Sequence, residues 1–76
     1  MKKINVLLST VNDVKDFVGI VSGYDFDVDL ISGRFAVDAK SIIGIFSLDL
    51  SKPLNVNIYS DECEELIEQL QKFAAD

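Results

Sequence analysis

Lys40-Ser41-Ile42-Ile43-Gly44-Ile45-Phe46-Ser47-Leu48-Asp49-Leu50 sets six large apolar residues in nine positions behind a polar start. Read as a short helix, it takes Ser41 as its N-cap, because the hydroxyl can accept from a backbone N–H one turn later. At about 100° per residue, Ile42 and Phe46 point one way, Ile43 another, and Ile45 and Leu48 toward a third sector. One sheet face covers only part of that circumference. Either some of Ile42, Ile43 and Phe46 stay exposed as a contact surface, or neighbouring loops cover them and they are ordinary core.

Upstream of this stretch, Ile4, Val6 and Leu8 alternate with Asn5 and Leu7 as a first strand. Asn12 is placed to cap a helix with Asp13 and Asp16 in its first turn, where the dipole favours negative charge. Val14, Phe17, Val18 and Val21 form its apolar stripe. Gly23 stands where a left-handed residue would end it, and Gly19 sits mid-helix as if to admit a neighbour. Phe26, Val28 and Leu30 alternate with Asp27, Asp29 and Ile31 as a second strand, Ser32-Gly33 turns the chain, and Arg34 to Val37 returns as a third.

Downstream, Ser51-Lys52-Pro53 turns into a fourth strand in which Leu54, Val56 and Ile58 alternate with Asn55, Asn57 and Tyr59. Ser60-Asp61 opens a last helix, with Asp61 and Glu64 spaced as an acidic capping box. Cys63, Leu66, Ile67, Leu70, Phe73 and Ala74 share its apolar stripe, and Glu68 faces Lys72 four residues on. The order β-α-β-β-α-β-α predicts an α+β, two-layer open-faced sandwich in one domain, residues 1–76. Its sheet should be antiparallel, with the helices on one face and Asn5, Asp27, Asp29, Asn55 and Asn57 on the other.

Composition narrows the chemistry. Thirteen acidic against seven basic residues give a net charge of −6, which opposes nucleic acid and an anionic membrane surface alike. The one cysteine and the lack of histidine leave no disulfide and no recognisable metal set. Asp25, Asp27 and Asp29 share a strand face but lack the turning loop and bidentate glutamate of a calcium site. Ser9 and Thr10 are hydroxyls near a helix start with no base in reach, so a capping role outweighs a nucleophilic one. The apolar run after Met1-Lys2-Lys3 is too short for a secretion signal. The expectation is a cytoplasmic protein that is not an enzyme and uses no cofactor.

From Tyr24 through Leu48 the chain resembles the HPr family, the small histidine-containing phosphocarriers of the bacterial sugar phosphotransferase system. The resemblance rests on Tyr24-Asp25-Phe26-Asp27-Val28-Asp29-Leu30, on Ser32-Gly33-Arg34, and on Asp38-Ala39-Lys40-Ser41-Ile42-Ile43-Gly44-Ile45-Phe46-Ser47-Leu48. It implies strand order 1-4-2-3. It also implies a loop before the first helix that carries a phosphoacceptor histidine. Here that loop reads Leu8-Ser9-Thr10-Val11-Asn12-Asp13-Val14, and the sequence holds no histidine and no arginine besides Arg34. Asp13 and Asp16 would repel a phosphoryl group there.

In Gram-positive members a dedicated kinase phosphorylates the serine of the Lys-Ser-Ile segment, which corresponds to Ser41, and the product binds a transcriptional regulator. The resemblance therefore implies Ser41 as a regulatory site and Lys40, Ile42, Ile43 and Phe46 as partner contacts. It implies a protein partner, either such a serine kinase or such a regulator. Against this stand a small-molecule-sensing or oligomerising α/β module with no phosphotransferase role, and a degenerate paralogue that only folds.

Overall fold

The computed structural model describes residues 1–75. Strands β1 (Lys2–Val6), β2 (Val28–Ser32), β3 (Phe35–Asp38) and β4 (Leu54–Ile58) form one antiparallel sheet of order β1-β4-β2-β3. Helices α1 (Val11–Val21), α2 (Ile42–Phe46) and α3 (Glu64–Gln69) cover one face, and a 3-10 turn over Leu70–Phe73 continues α3. This is the α+β open-faced sandwich that the alternation of apolar residues predicts.

The core follows from parity. Val28 and Leu30 of β2 and Leu54, Val56 and Ile58 of β4 are buried on the helix side, with Val14, Phe17, Val21, Leu66, Leu70 and Phe73 above them. Phe17 and Phe73 meet edge to face with ring centroids 6.0 Å apart, an arrangement that suits the opposite charge of ring edge and ring face. On the other face Asn5 pairs with Asn55 and Asp29 with Asn57, so the polar half of each alternation meets solvent.

Several boundaries depart from the sequence expectation. Strand β1 ends at Val6, because Leu7 gives its N–H to the Phe73 carbonyl (2.8 Å) and Val6 bridges to Ala74, which is therefore extended rather than helical. Phe26 lies outside β2 and is partly buried against the core. The cap of α1 is Thr10, not Asn12. Its hydroxyl accepts from Asp13 N–H (3.0 Å), while the Asp13 carboxylate accepts from Ser9 N–H (3.0 Å). That reciprocal closure exists only when the helix starts at Val11.

The β2–β3 turn is Gly33-Arg34, one residue later than expected, with Ser32 opposite Phe35. Gly33 has φ 58 and no non-glycine residue among the described ones has positive φ, which is the pattern of a type II′ hairpin turn and excludes type I′. Gly23 is not left-handed; the chain leaves α1 through Ser22 in the helical region and a turn closed by Tyr24 N–H on Val21 O (3.1 Å).

At the last helix, Ser60 Oγ accepts from Glu62 N–H (3.1 Å), a local turn that delays the helix start to Glu64. Asp61 then pairs with the Met1 amine (3.2 Å) instead of capping, and Cys63 becomes the fully buried residue before the helix. Lys72 lies in the 3-10 turn and reaches Asp16 (3.5 Å) across to α1 rather than Glu68.

Gly19 admits no neighbour: a Cβ there would meet nothing within 4 Å. It is a helix-propensity cost without a packing return. Gly19→Ala should therefore stabilise the protein by about 0.5–1 kcal/mol, read as a higher denaturant midpoint at unchanged slope. A lower midpoint would show that the glycine is required by a contact this geometry does not contain.

Candidate functional site on the short helix

Helix α2 is built on Ser41. The residue is extended (φ −104, ψ 104), its Oγ accepts from Gly44 N–H (3.2 Å), and its own N–H donates to the Asp38 carbonyl (2.9 Å). Its carbonyl begins the helix by accepting from Ile45 N–H (3.0 Å). Gly44 is sterically fixed here. A Cβ on it would lie 3.2 Å from Ser41 Oγ and 3.3 Å from Val37 Cβ, so the glycine lets α2 lie close on β3 and keeps the cap open. Ile45 is fully buried and anchors the turn.

The rest of the helix turns outward. Ile43 is 82% exposed and Phe46 44% exposed, while Ile42 is half-buried against the core. The apolar excess legible in the sequence is thus divided, with one anchor and two exposed side chains. Among the two outcomes left open by periodicity, loops do not cover Ile43 and Phe46.

Lys40, which the resemblance implies as a partner contact, is half-buried. Its Nζ donates to the Tyr24 carbonyl (2.7 Å), so its charge ties the start of α2 to the segment after α1. Tyr24 carries the tie onward, donating its hydroxyl to Gln69 Oε1 (2.6 Å) and lying 3.3 Å from Glu65 Oε1. Loss of surrounding solvent first, and the Glu65 charge second, push the Tyr24 phenol above its ordinary value. It stays a protonated donor across the neutral range.

Both signs of charge stand next to Ser41 in the chain, Lys40 directly before it and Asp38 three residues before it. Asp38 Oδ1 accepts from Lys40 N–H (2.9 Å), one residue before the serine. At the far end of α2, hydrogen bonds from the Ser51 hydroxyl and then from its backbone N–H hold the Asp49 carboxyl below its usual range. Asp27, Asp29 and Asp38 line a shallow hollow with Val28 and Tyr59 on the open sheet face, and Tyr59 donates its hydroxyl to Asp29 Oδ2 (3.1 Å). Among the described residues no group of three or more His, Cys, Asp or Glu is arranged to hold a metal ion. No helix among them is long and apolar enough to cross a membrane.

Family models and curated proteins give no match to this chain. Solved structures do. The crystal structure of HPr-C-His from Thermoanaerobacter tengcongensis superposes with a TM-score of 0.79 at 25% identity, covering 95% of this chain and 89% of that one. The phosphocarrier protein HPr from Bacillus anthracis str. Ames superposes at 0.73 with 22% identity, covering 97% of this chain and 96% of that one.

The fold is that of HPr.

Set on the HPr-like scaffold, Ser41 begins the short helix between β3 and β4, and Ile42, Ile43 and Phe46 follow it on that helix. The structure brings Ser41, Ile43 and Phe46 to the surface together. It sets Lys40 apart as a tether. Neither the Lys40–Tyr24 link nor the part of α3 in it was signalled by sequence, since the bonded groups are 16 and 45 residues apart.

Proposed function

We propose that this chain is an HPr-like protein of the phosphotransferase system family that acts by protein–protein contact through α2, without carrying phosphate on histidine. The observation that supports the reading most is the exposed pair Ile43 and Phe46, beside a capping serine, on an HPr-like fold whose sequence has no histidine. Apolar side chains exposed as a group, unlike ones scattered singly, mark a contact surface. No catalytic role is proposed. The chain works in the cytoplasm in this reading, with Ile42, Ile43 and Phe46 as the contact and Lys40 orienting the segment behind them.

Ser41 is the proposed regulatory position. A phosphate there adds roughly −1.5 to −2 charges near the N–H groups at the start of α2 and three strong acceptor oxygens. The Asp38 carboxylate next to it opposes the added charge, so the modification marks the surface rather than stabilising the helix. Offered to a serine kinase of the HPr-specific type, the protein should take one phosphate, mapped by mass spectrometry to Ser41. Ser41→Ala should abolish the modification and lower stability by about 1 kcal/mol through the lost cap. Phosphate at Ser47, Ser51 or Ser60, or none at all, would leave Ser41 a structural cap only.

A further inference from the structure

The two edges of the sheet are treated differently. Beside β1 the chain closes its own edge: Val6 bridges Ala74, Leu7 N–H reaches Phe73 O, and Ala75 N–H reaches Asn5 O (3.0 Å). Lys2 and Lys3 further guard that strand, a common device against unwanted pairing. At the other edge, β3 has β2 on one side and no strand on the other among the described residues. It carries no lysine, proline or bulge, and Phe35 on it is 69% exposed.

The backbone of β3 is arranged to accept a strand. The hairpin closes at Ser32 and Phe35, and Ala39 N–H bonds Val28 O (2.9 Å). Alternation along an antiparallel ladder therefore turns Phe35, Val37 and Ala39 toward β2, and leaves the N–H and C=O of Ala36 directed at the open edge. Phe35 and Val37 share the helix-side face, opposite Ser32 and Leu30, while Ala36 and Asp38 lie on the open face.

Arg34-Phe35-Ala36-Val37-Asp38 is complementary to itself when reversed. An antiparallel pairing of two copies centred on Ala36 sets Arg34 against Asp38 at both ends and Phe35 against Val37 on the helix side. The two Ala36 residues exchange backbone hydrogen bonds across the axis. A parallel in-register pairing would instead set arginine on arginine and aspartate on aspartate. Charge also favours this occupant from within one copy. Asp38 is directly opposite Asp29 across the sheet, a destabilising like-charge pair, and the ion pairs among the described residues involve neither Asp38 nor Arg34.

We infer that β3 is a self-association edge, on which a second copy of this chain adds its own β3 antiparallel about Ala36 to join two sheets into one. The proposal is independent of the role assigned to α2. Sedimentation equilibrium of the full chain at up to ~1 mM should show a reversible monomer–dimer equilibrium. Arg34→Asp, in an exposed turn, should raise the dimer Kd by about tenfold or more, since both end pairs become repulsive. Mixing the Arg34→Asp chain with an Asp38→Arg chain restores opposite charges at both ends, so a heterodimer should form where each variant alone stays monomeric.

Ala36→Pro gives a second test, removing an outward N–H while sparing the bonds to β2. It should abolish the dimer while far-UV circular dichroism stays that of the folded protein. A wild-type chain that is monomeric throughout this range, or a dimer indifferent to both Arg34→Asp and Ala36→Pro, would overturn the inference.

Discussion

Incubated with the general phosphotransferase enzyme and labelled phosphoenolpyruvate, this protein should acquire no acid-labile phosphate, where an HPr phosphocarrier would take up close to one equivalent. The chemistry begins with the nucleophile. Transfer from phosphoenolpyruvate through a phosphohistidine needs an imidazole, and the sequence has none. The environment points the same way. A helix N-terminus attracts phosphate through unpaired N–H groups and a positive dipole end. At α1 the Asp13 N–H already donates to Thr10 Oγ1, and the Asp13 carboxylate has taken the Ser9 N–H. The protein's own anion occupies the electrostatic position that a phosphoryl group would need, with Asp16 on the next turn adding a second negative charge. Acid lability separates the outcomes, because phosphate on serine or threonine survives the treatment. Acid-labile label on the wild-type chain would overturn the non-carrier reading.

Much of this arrangement was legible before any geometry. Alternation in Val28–Leu30 and Leu54–Ile58 fixed strands with one buried face, because a period of two leaves no other way to bury those side chains against helices. Ser41 was readable as the start of a short helix, while counting directions around it left open whether Ile42, Ile43 and Phe46 stay exposed or are covered. What was not legible depends on remote partners. Leu8 read as strand from alternation alone, whereas β1 ends at Val6 because the Leu7 N–H is claimed by Phe73 at the far end of the chain. Asn12 and Thr10 were both plausible caps, and the reciprocal bond from Ser9 to Asp13 decided between them. Lys40 looked like a surface charge beside a serine, yet the Tyr24 carbonyl holds it. The edge position of β3 is contained in the strand order 1-4-2-3 that the resemblance implies, whereas local patterning alone does not encode which strand lies at an edge.

Two phenylalanines provide the sharpest division between fold and function. Phe17 is completely buried under α1 and stacks edge-on with Phe73, so Phe17→Ala should cost ~3–5 kcal/mol of unfolding free energy. For a 76-residue domain that is a large share of a total near ~5 kcal/mol, and the variant should be substantially unfolded at 37 °C. Phe46 is 44% exposed, so its truncation forfeits only part of that burial and should leave a folded protein. Its loss should appear in binding instead. Against the HPr-specific serine kinase, Phe46→Ala should weaken association by about 1–3 kcal/mol, a factor of roughly 5 to 150, as measured by calorimetry. Ile43→Ala supplies the control, since an 82% exposed side chain contributes almost nothing to the core. If Ile43→Ala weakens the same association while its melting curve coincides with that of the wild type, the apolar face of α2 is an interface. If Phe46→Ala destabilises folding as much as Phe17→Ala and neither α2 variant alters binding, the ring belongs to the core and the contact lies on another face of the domain.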